Sequence, residues 1–304
     1  MYDVIVVGGG PAGLTAAIYT LRAGKSVLVI ERAGFGGQIA YSPKVENIPG
    51  TITISGAEFA DKLAEQVLAL GADVELENVV GVDADGAVKR VRTEEGGVYE
   101  GKTVILANGV KHRMLGLDGE EELIGKGISF CAVCDGAFYT GQHAAMIGGG
   151  NSALQEALLL ADVCSKVTVV QNLPTFTGEK KLADALMAKP NVEVLFSTVV
   201  SAYVTRDEQL CGLKLHNDAT GEDREIAVDG AFLAVGLQAE NESFAHLCDL
   251  NAYGYYDVNE FCTTKTPGVF VAGDCRSKFI RQVTTAAADG AIAALAACRY
   301  ADEV

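Results

Sequence analysis

Tyr2-Asp3-Val4-Ile5-Val6-Val7-Gly8-Gly9-Gly10-Pro11-Ala12-Gly13 opens the chain with an apolar run that passes directly into a glycine turn. Val4 to Val7 are all β-branched, and an uninterrupted run of such residues predicts a strand buried on both faces, as in a parallel sheet. Beyond the turn the pattern predicts a helix through about Ala23. Strand, glycine turn and helix in that order form a dinucleotide-binding unit. Gly8 makes the tight turn, Gly10 lets a pyrophosphate approach the backbone, Gly13 lets helix and strand pack closely, and the helix N-terminus attracts phosphate charge. A second strand, Ser26 to Ile30, ends on Glu31, whose carboxylate is placed to accept hydrogen bonds from a ribose diol. A glycine turn without a ligand gives no reason for that acid.

The same pattern returns in the middle of the chain. His143 to Ile147 reads as a strand, Gly148-Gly149-Gly150-Asn151-Ser152-Ala153 repeats the turn, a helix follows to about Ala161, and Lys166 to Val170 is again a strand. Glu31 follows Gly8 by 23 residues, and Gln171 follows Gly148 by the same 23, so the second unit carries an amide where the first carries an acid. Around the two units, a helix of apolar period 3–4 spans Gly56 to Leu70, short strands and turns alternate as a β-meander from Asp73 to Lys102, and Val104 to Leu106 is a strand leading into a turn at Gly109. Hinge-like stretches lie near Lys111 to Gly116 and Gln238 to Glu242. A last strand, Gly268 to Ala272, meets Gly273-Asp274, and a helix of small residues begins at Gln282-Val283-Thr284 and runs through Ala297. The expected fold is α/β, with two Rossmann-like, three-layer dinucleotide-binding domains and the second inserted into the first. The boundaries are residues 1–113 and 241–304 for the outer domain and 114–240 for the insert.

Cys131-Ala132-Val133-Cys134-Asp135-Gly136 lies inside the insert and sets two thiols at the spacing of a redox-active disulfide, with a carboxylate beside the second. A zinc site would need another pair or a histidine partner at ligand spacing, and the remaining cysteines, at 164, 211, 248, 262, 275 and 298, form no second C-x-x-C. No metal is expected. Those other thiols read as core or incidental, and the acidic run Gly119-Glu120-Glu121-Glu122 as solvated surface. A length of 304 residues suits two domains. The net charge of −16 argues against nucleic acid and anionic membranes, and no apolar run is long enough to span a bilayer. With no leader-like N-terminus, a cytoplasmic location is expected.

Taken together, Gly8 to Gly13 with Glu31, Gly36-Gly37-Gln38, Cys131 to Gly136, Gly148 to Ala153, and Gly273-Asp274 with Arg281-Gln282 make the chain resemble the low-molecular-weight, FAD-containing bacterial thioredoxin reductases over nearly its whole length. The resemblance implies FAD at the first site. It places Gly10, Pro11, Ala12 and Gly13 at the pyrophosphate, Glu31 at the adenosine ribose, Gly36, Gly37, Gln38, Asn47 and Gly109 along the cofactor, and Val79 by the adenine. Gly273 and Asp274 would lie at the ribityl end, with Arg281, Gln282 and Val283 near the isoalloxazine. It implies NAD(P)H at the second site, on Gly148, Gly150, Asn151 and Ser152. Cys134 would then take electrons from the flavin, Cys131 would attack the disulfide of thioredoxin or a thioredoxin-like protein, and Asp135 would serve as acid and base. Relatives imply a homodimer.

One departure bears on the electron donor. The family's second unit commonly continues with a His-Arg-Arg run and a further arginine that grip the 2′-phosphate of NADPH, whereas this chain reads Gln171-Asn172-Leu173-Pro174-Thr175-Phe176-Thr177. Cations return only at Lys180 and Lys181. NAD(P)H with relaxed choice is one reading. Ferredoxin is another, with Lys111-His112-Arg113 and Arg276, Lys278 and Arg281 as docking cations. A dithiol oxidase and a flavin-loaded redox-responsive binding protein without turnover are the remaining two.

Overall fold

The computed structural model describes residues 1–41, 45, 47–130 and 132–304. The chain folds into two compact units, Met1–Lys111 with Gln238–Val304, and His112–Leu237. The crossings therefore fall at 111/112 and 237/238, a little before the 113/114 and 240/241 boundaries expected from the sequence.

In the first unit, β1 (Tyr2–Val7) leads into α1 (Pro11–Arg22), where Pro11 occupies the first turn and supplies the fixed φ suited to a helix start. β2 (Val27–Glu31) pairs parallel with β1, Val7 lying opposite Ile30. α2 (Gly56–Ala69) is capped by Ser55, whose side chain accepts the Glu58 N–H at 3.1 Å, and it returns the chain to β3 (Asp73–Leu76). β3 pairs parallel with β2, so the meander expected from Asp73 onwards starts one strand later. The crossover helix α2 is the reason, since it carries the chain across the sheet before β3 joins it. β4 (Val79–Asp83), β5 (Lys89–Thr93) and β6 (Val98–Leu106) then follow, with β5 antiparallel to both β4 and β6. β6 is a single long strand. Its first half pairs with β5, and its second half joins the parallel sheet beside β1. The first crossing follows at β7 (Lys111–His112).

The second unit begins with β8 (Ile128–Ser129), the short α3 (Ala132–Asp135) and β9 (His143–Ile147). Next come α4 (Asn151–Val163), β10 (Lys166–Val170), α5 (Lys180–Met187) and β11 (Val192–Leu195). β12 (Thr198–Arg206), β13 (Gln209–Asn217) and β14 (Asp223–Ala227) form an antiparallel sheet of their own. β15 (Gly230–Leu233) completes a parallel sheet of order β11-β10-β9-β15-β8. One face of that sheet packs Ala144, Met146, Val167 and Val169 against Leu154, Ala157 and Leu160 of α4. The other packs Ala145, Ile147 and Val170 against Leu213 and Leu215 of β13. This alternation along each strand gives the three layers.

The chain leaves the unit through β16 (Leu237–Gln238), which pairs with β7, and returns to the first unit. There β17 (Val269–Val271) extends the parallel sheet on β6, and α6 (Val283–Glu303) packs beside α1. Val4 and Val6 face the helices, while Ile5 and Val7 face Val82, Val91, Phe244 and Tyr256 on the opposite side. Among the described residues no helix is long and apolar enough to cross a membrane.

Candidate active site

The carboxyl ends of the parallel strands carry the residues singled out from the sequence, as expected for open α/β sheets. Gly8 follows β1 with φ of +109°, and a Cβ there would stand 2.3 Å from the Ala107 carbonyl oxygen. Gly13 allows the close contact of helix and turn, since a Cβ would come within 1.9 Å of the Gly8 oxygen. Gly10 differs from both. A Cβ at Gly10 would meet only the Gly36 oxygen and Gly37 Cα, at 3.9 and 4.0 Å, so the space above this backbone is open. α1 starts at that point with no side chain capping its first turn, which leaves backbone N–H groups to meet an anion.

Glu31 is the last residue of β2, and its carboxylate accepts the Gly9 N–H at 2.6 Å and the Ala33 N–H at 3.1 Å. The Gly36 N–H donates to the Gly9 carbonyl at 2.8 Å, folding the loop of Gly36, Gly37 and Gln38 over the turn. Gln38 donates to the Val110 carbonyl at 3.3 Å, and Val79 lies half-buried at the start of β4. The Asn47 amide donates to Gln282 Oε1 at 2.8 Å, joining two of the expected cofactor residues. Gln282 also closes a capping box with Thr285 at the start of α6, immediately before Val283. Gly109 takes a φ of +65° and Gly273 a φ of +87°. Beside Gly273, Asp274 Oδ1 is buried without a hydrogen-bond partner among the described residues, and burial raises its carboxyl above the usual range. A buried acceptor of this kind calls for a donor, and a polyol hydroxyl supplies one.

The second turn repeats the first at atomic detail. Gly148 has φ of +131°, a Cβ there would stand 2.4 Å from the Ala234 carbonyl oxygen, and its N–H donates to Val170 as that of Gly8 does to Ile30. α4 likewise starts after Gly150 with no side-chain cap. The two units part company after β10. Gln171 is buried at 3% exposure, turns over Gly149 and donates to the Thr175 carbonyl at 3.0 Å. The N–H groups of Thr177 and Gly178 both donate to the Gly149 carbonyl. Asn151 and Glu179 exchange two hydrogen bonds, of 2.7 and 3.3 Å, so the rim beside Asn151 and the exposed Ser152 carries a carboxylate and no guanidinium. Lys180 is paired with Asp184 on α5.

Cys131 falls outside the described residues, and Cys134 lies on α3. Asp135, at the end of that helix, accepts the Ser129 hydroxyl at 2.5 Å. The Ala132 N–H donates to Glu156 on α4 at 3.1 Å. Burial pushes the Glu156 carboxyl up to about 7, against the opposing pull of that N–H. Neither Ser129 nor Glu156 was singled out from the sequence. The available signal for Glu156 was an acid at helical spacing from Ala153 and Leu160, both fully buried. Phe138 was missed as well, and it is 77% exposed four residues after Cys134.

The docking cations expected for an acidic protein are occupied. Arg276 and Lys278 each bind Asp289 at 2.8 Å, and their side chains are about one-tenth exposed. Arg281 stacks 4.0 Å from the Tyr255 ring centroid and donates to the Asp274 carbonyl. Lys111 pairs with Glu240 at 2.5 Å, and His112 stacks on Phe130 with its pKa lowered by burial. Among the described residues of that set, only Arg113 has a side chain without such a pairing role, because groups close in the fold engage the others. Glu120 corrects another expectation. It is 3% exposed rather than solvated, because its carboxylate caps the N–H groups of Leu115, Gly116 and Leu117 and accepts the Tyr203 hydroxyl. Of the six thiols outside the pair, Cys211 is half-buried and the other five are buried.

The pyridine nucleotide-disulphide oxidoreductase family matches residues 2–290. The chain belongs to that family, among its low-molecular-weight thioredoxin reductases. The enzyme is 38% identical over 304 residues to a thioredoxin reductase of Bacillus subtilis, covering 100% of this chain and 96% of the relative. It superposes on the thioredoxin reductase of Lactococcus lactis with a TM-score of 0.94 at 36% identity, over 100% of both chains. A ferredoxin-flavin thioredoxin reductase of Clostridium acetobutylicum matches with a TM-score of 0.53 at 30% identity, covering 98% and 97%. The family uses FAD and a pyridine nucleotide. The open cradle above Gly10, the Glu31 carboxylate and the Asp274 oxygen, which has Lys278 at 3.8 Å but no hydrogen-bond donor among the described residues, fit FAD in the first unit.

Proposed function

We propose that this oxidoreductase reduces the disulfide of thioredoxin, or of a similar small dithiol protein, through Cys131 and Cys134. FAD, when bound, accepts two electrons from the donor and delivers them to the disulfide. In the first unit, the uncapped N-terminus of α1 and Gly10 hold the pyrophosphate, Glu31 the ribose diol, and Asp274 a ribityl hydroxyl. In the second unit, Gly148, Gly150, Asn151 and Ser152 receive a nicotinamide nucleotide.

The observation that carries the reading is the Cys131-Ala132-Val133-Cys134-Asp135 run on and before α3, with the Asp135 carboxylate fixed by Ser129 at 2.5 Å. The Cys131 thiolate attacks one sulfur of the partner disulfide, and the other partner sulfur leaves with a proton from Asp135. Cys134 then passes its thiol proton to Asp135 and attacks the Cys131 sulfur of the mixed disulfide, which closes the Cys131–Cys134 bond and frees the reduced partner, its last sulfur taking a proton from solvent. Phe138, exposed close by, offers an apolar contact for the docking protein. Such chemistry belongs in a reducing compartment such as the cytoplasm, and the family resemblance implies a homodimer.

The donor is a pyridine nucleotide taken without the guanidinium grip that selects the 2′-phosphate, since Gln171 to Thr177 supply none. Ferredoxin is the second reading, favoured by the same missing arginines and by the likeness to the Clostridium acetobutylicum protein. Anaerobic titration of the flavoprotein with NADH, NADPH and reduced ferredoxin, followed by flavin bleaching, separates them. Bleaching by micromolar nucleotide supports the first reading. Silence with both nucleotides and bleaching by ferredoxin supports the second.

A further inference from the structure

Two acids and three cations meet around Gly273, and the distances divide them unequally. Asp289 of α6 accepts the Gly273 N–H at 3.1 Å, Arg276 at 2.8 Å and Lys278 at 2.8 Å. Arg276 gives its other terminal nitrogen to the Asn259 carbonyl at 3.0 Å. Arg281 stacks on Tyr255 and donates from Nε to the Asp274 backbone carbonyl at 3.2 Å. Among the described residues Lys278 is the one cation paired with the Asp274 carboxylate, its ammonium standing 3.8 Å from Oδ1. The other titratable neighbours are uncharged, because burial raises Tyr256, Cys262 and Cys275 above their ordinary ranges. The Gly8 to Gly13 turn carries no titratable side chain.

The 3.8 Å separation has a chemical meaning. It is too long for a hydrogen bond and short enough for Coulomb attraction, so Lys278 lends Asp274 a positive charge without occupying a lone pair of Oδ1. Asp289, bonded to the same ammonium, braces it there. Burial favours the protonated form of Asp274, and the ammonium opposes it. We propose that Lys278 is a positioning residue for FAD: braced by Asp289, its ammonium keeps Asp274 a carboxylate that accepts a hydroxyl of the ribityl chain. The role rests on the placement of that chain at Asp274. A proton on Asp274 turns an acceptor into a donor where the hydroxyl must donate, and the cofactor is then held less firmly.

The test is the rate at which FAD leaves the holoenzyme on dilution, followed by the gain in flavin fluorescence from pH 5.5 to 8.5. Wild type should change by less than about twofold across that range, whereas Lys278→Met should release FAD about tenfold faster at pH 5.5 than at pH 8.5. Lys278→Arg keeps the charge and should restore the flat profile. Asp274→Asn has no carboxyl to titrate. It should release FAD faster than wild type at a rate independent of pH, and adding Lys278→Met to it should introduce no slope. A flat profile for Lys278→Met, or equal slopes in the Met and Arg variants, would overturn the role of the charge and leave the ribityl placement standing. If Asp274→Asn holds FAD as firmly as wild type, the placement itself fails and the proposal falls with it. Should Lys278→Met be recovered without FAD or with altered circular dichroism, wild type and Lys278→Arg decide, and release from either that accelerates toward acid overturns the proposal.

Discussion

At the scale of single residues, the buried charges carry the sharpest consequences. Asp289 sits within α6 and accepts three donors at once: the Gly273 N–H at 3.1 Å, Arg276 at 2.8 Å and Lys278 at 2.8 Å. Asp289→Ala would leave Arg276 without a counter-charge and Lys278 with only Asp274, 3.8 Å away, which costs about 3–5 kcal/mol. Urea unfolding followed by far-ultraviolet circular dichroism measures it, the chain having no tryptophan. The same carboxylate fixes the backbone before Asp274, so weaker FAD retention should accompany the loss. Glu156 makes the opposite kind of contribution. Its carboxyl is raised from 4.5 to about 7, so between these values the unfolded chain has released a proton that the folded chain keeps. The associated stability is complete below pH 4.5 and is lost as the pH rises through 7, amounting to about 3 kcal/mol. Glu156→Gln should therefore gain on wild type by that order between pH 5 and pH 8. An unchanged difference between the two proteins at both pH values would show that the carboxyl titrates in its ordinary range.

At the scale of elements, the cofactor cradle depends on how closely helices approach the first turn. A Cβ on Gly290 of α6 would stand 2.1 Å from the Ala12 carbonyl of α1, and one on Gly273 would meet the Ala12 side chain at 2.7 Å. Gly290→Ala should push α6 away from α1, at a cost of about 1–3 kcal/mol for overpacking, and should loosen FAD in a fluorescence titration. These contacts also indicate what the sequence could and could not reveal. The two strand-turn-helix units were legible because valine runs, glycines and the shared 23-residue spacing are local signals. That β3 lies parallel beside β2 was not legible, because Asp73–Leu76 is short and half-exposed and its partner is chosen by the crossover of α2. The Asp289 network and the Ala132–Glu156 bond escaped for a related reason. Nothing in a sequence distinguishes a paired surface charge from one whose partner arrives from a distant element. The cations at 276, 278 and 281 accordingly read as solvated or docking charges, whereas their partners lie within the fold.

At the scale of the whole molecule, the net charge of −16 sets the terms on which a donor arrives. On the proposed reading a small nucleotide meets local features, namely the uncapped start of α4 and the Gly148 turn, while an acidic protein meets the field of the entire surface. With Arg276, Lys278 and Lys111 already paired, that field has little to offset it at the positions expected to dock ferredoxin. Ferredoxin-driven bleaching should then become faster as salt rises from about 0.01 to 0.15 M, because screening shortens the range of a repulsion. Stopped-flow measurement at the two salt concentrations decides it, and a rate that falls with salt would reveal an attractive patch. The nucleotide site proposed at the second turn permits the complementary experiment. Asn172→Arg with Leu173→Arg restores guanidinium groups after β10, and should raise the preference for NADPH over NADH by about 10- to 100-fold. Glu179, bonded to Asn151 on the same rim, opposes a 2′-phosphate, so adding Glu179→Gln should increase the preference further. If the kcat/KM ratio for the two nucleotides does not respond to either change, the residues after Gln171 do not face the adenosine ribose, and the second turn does not bind a nucleotide in the manner of the first.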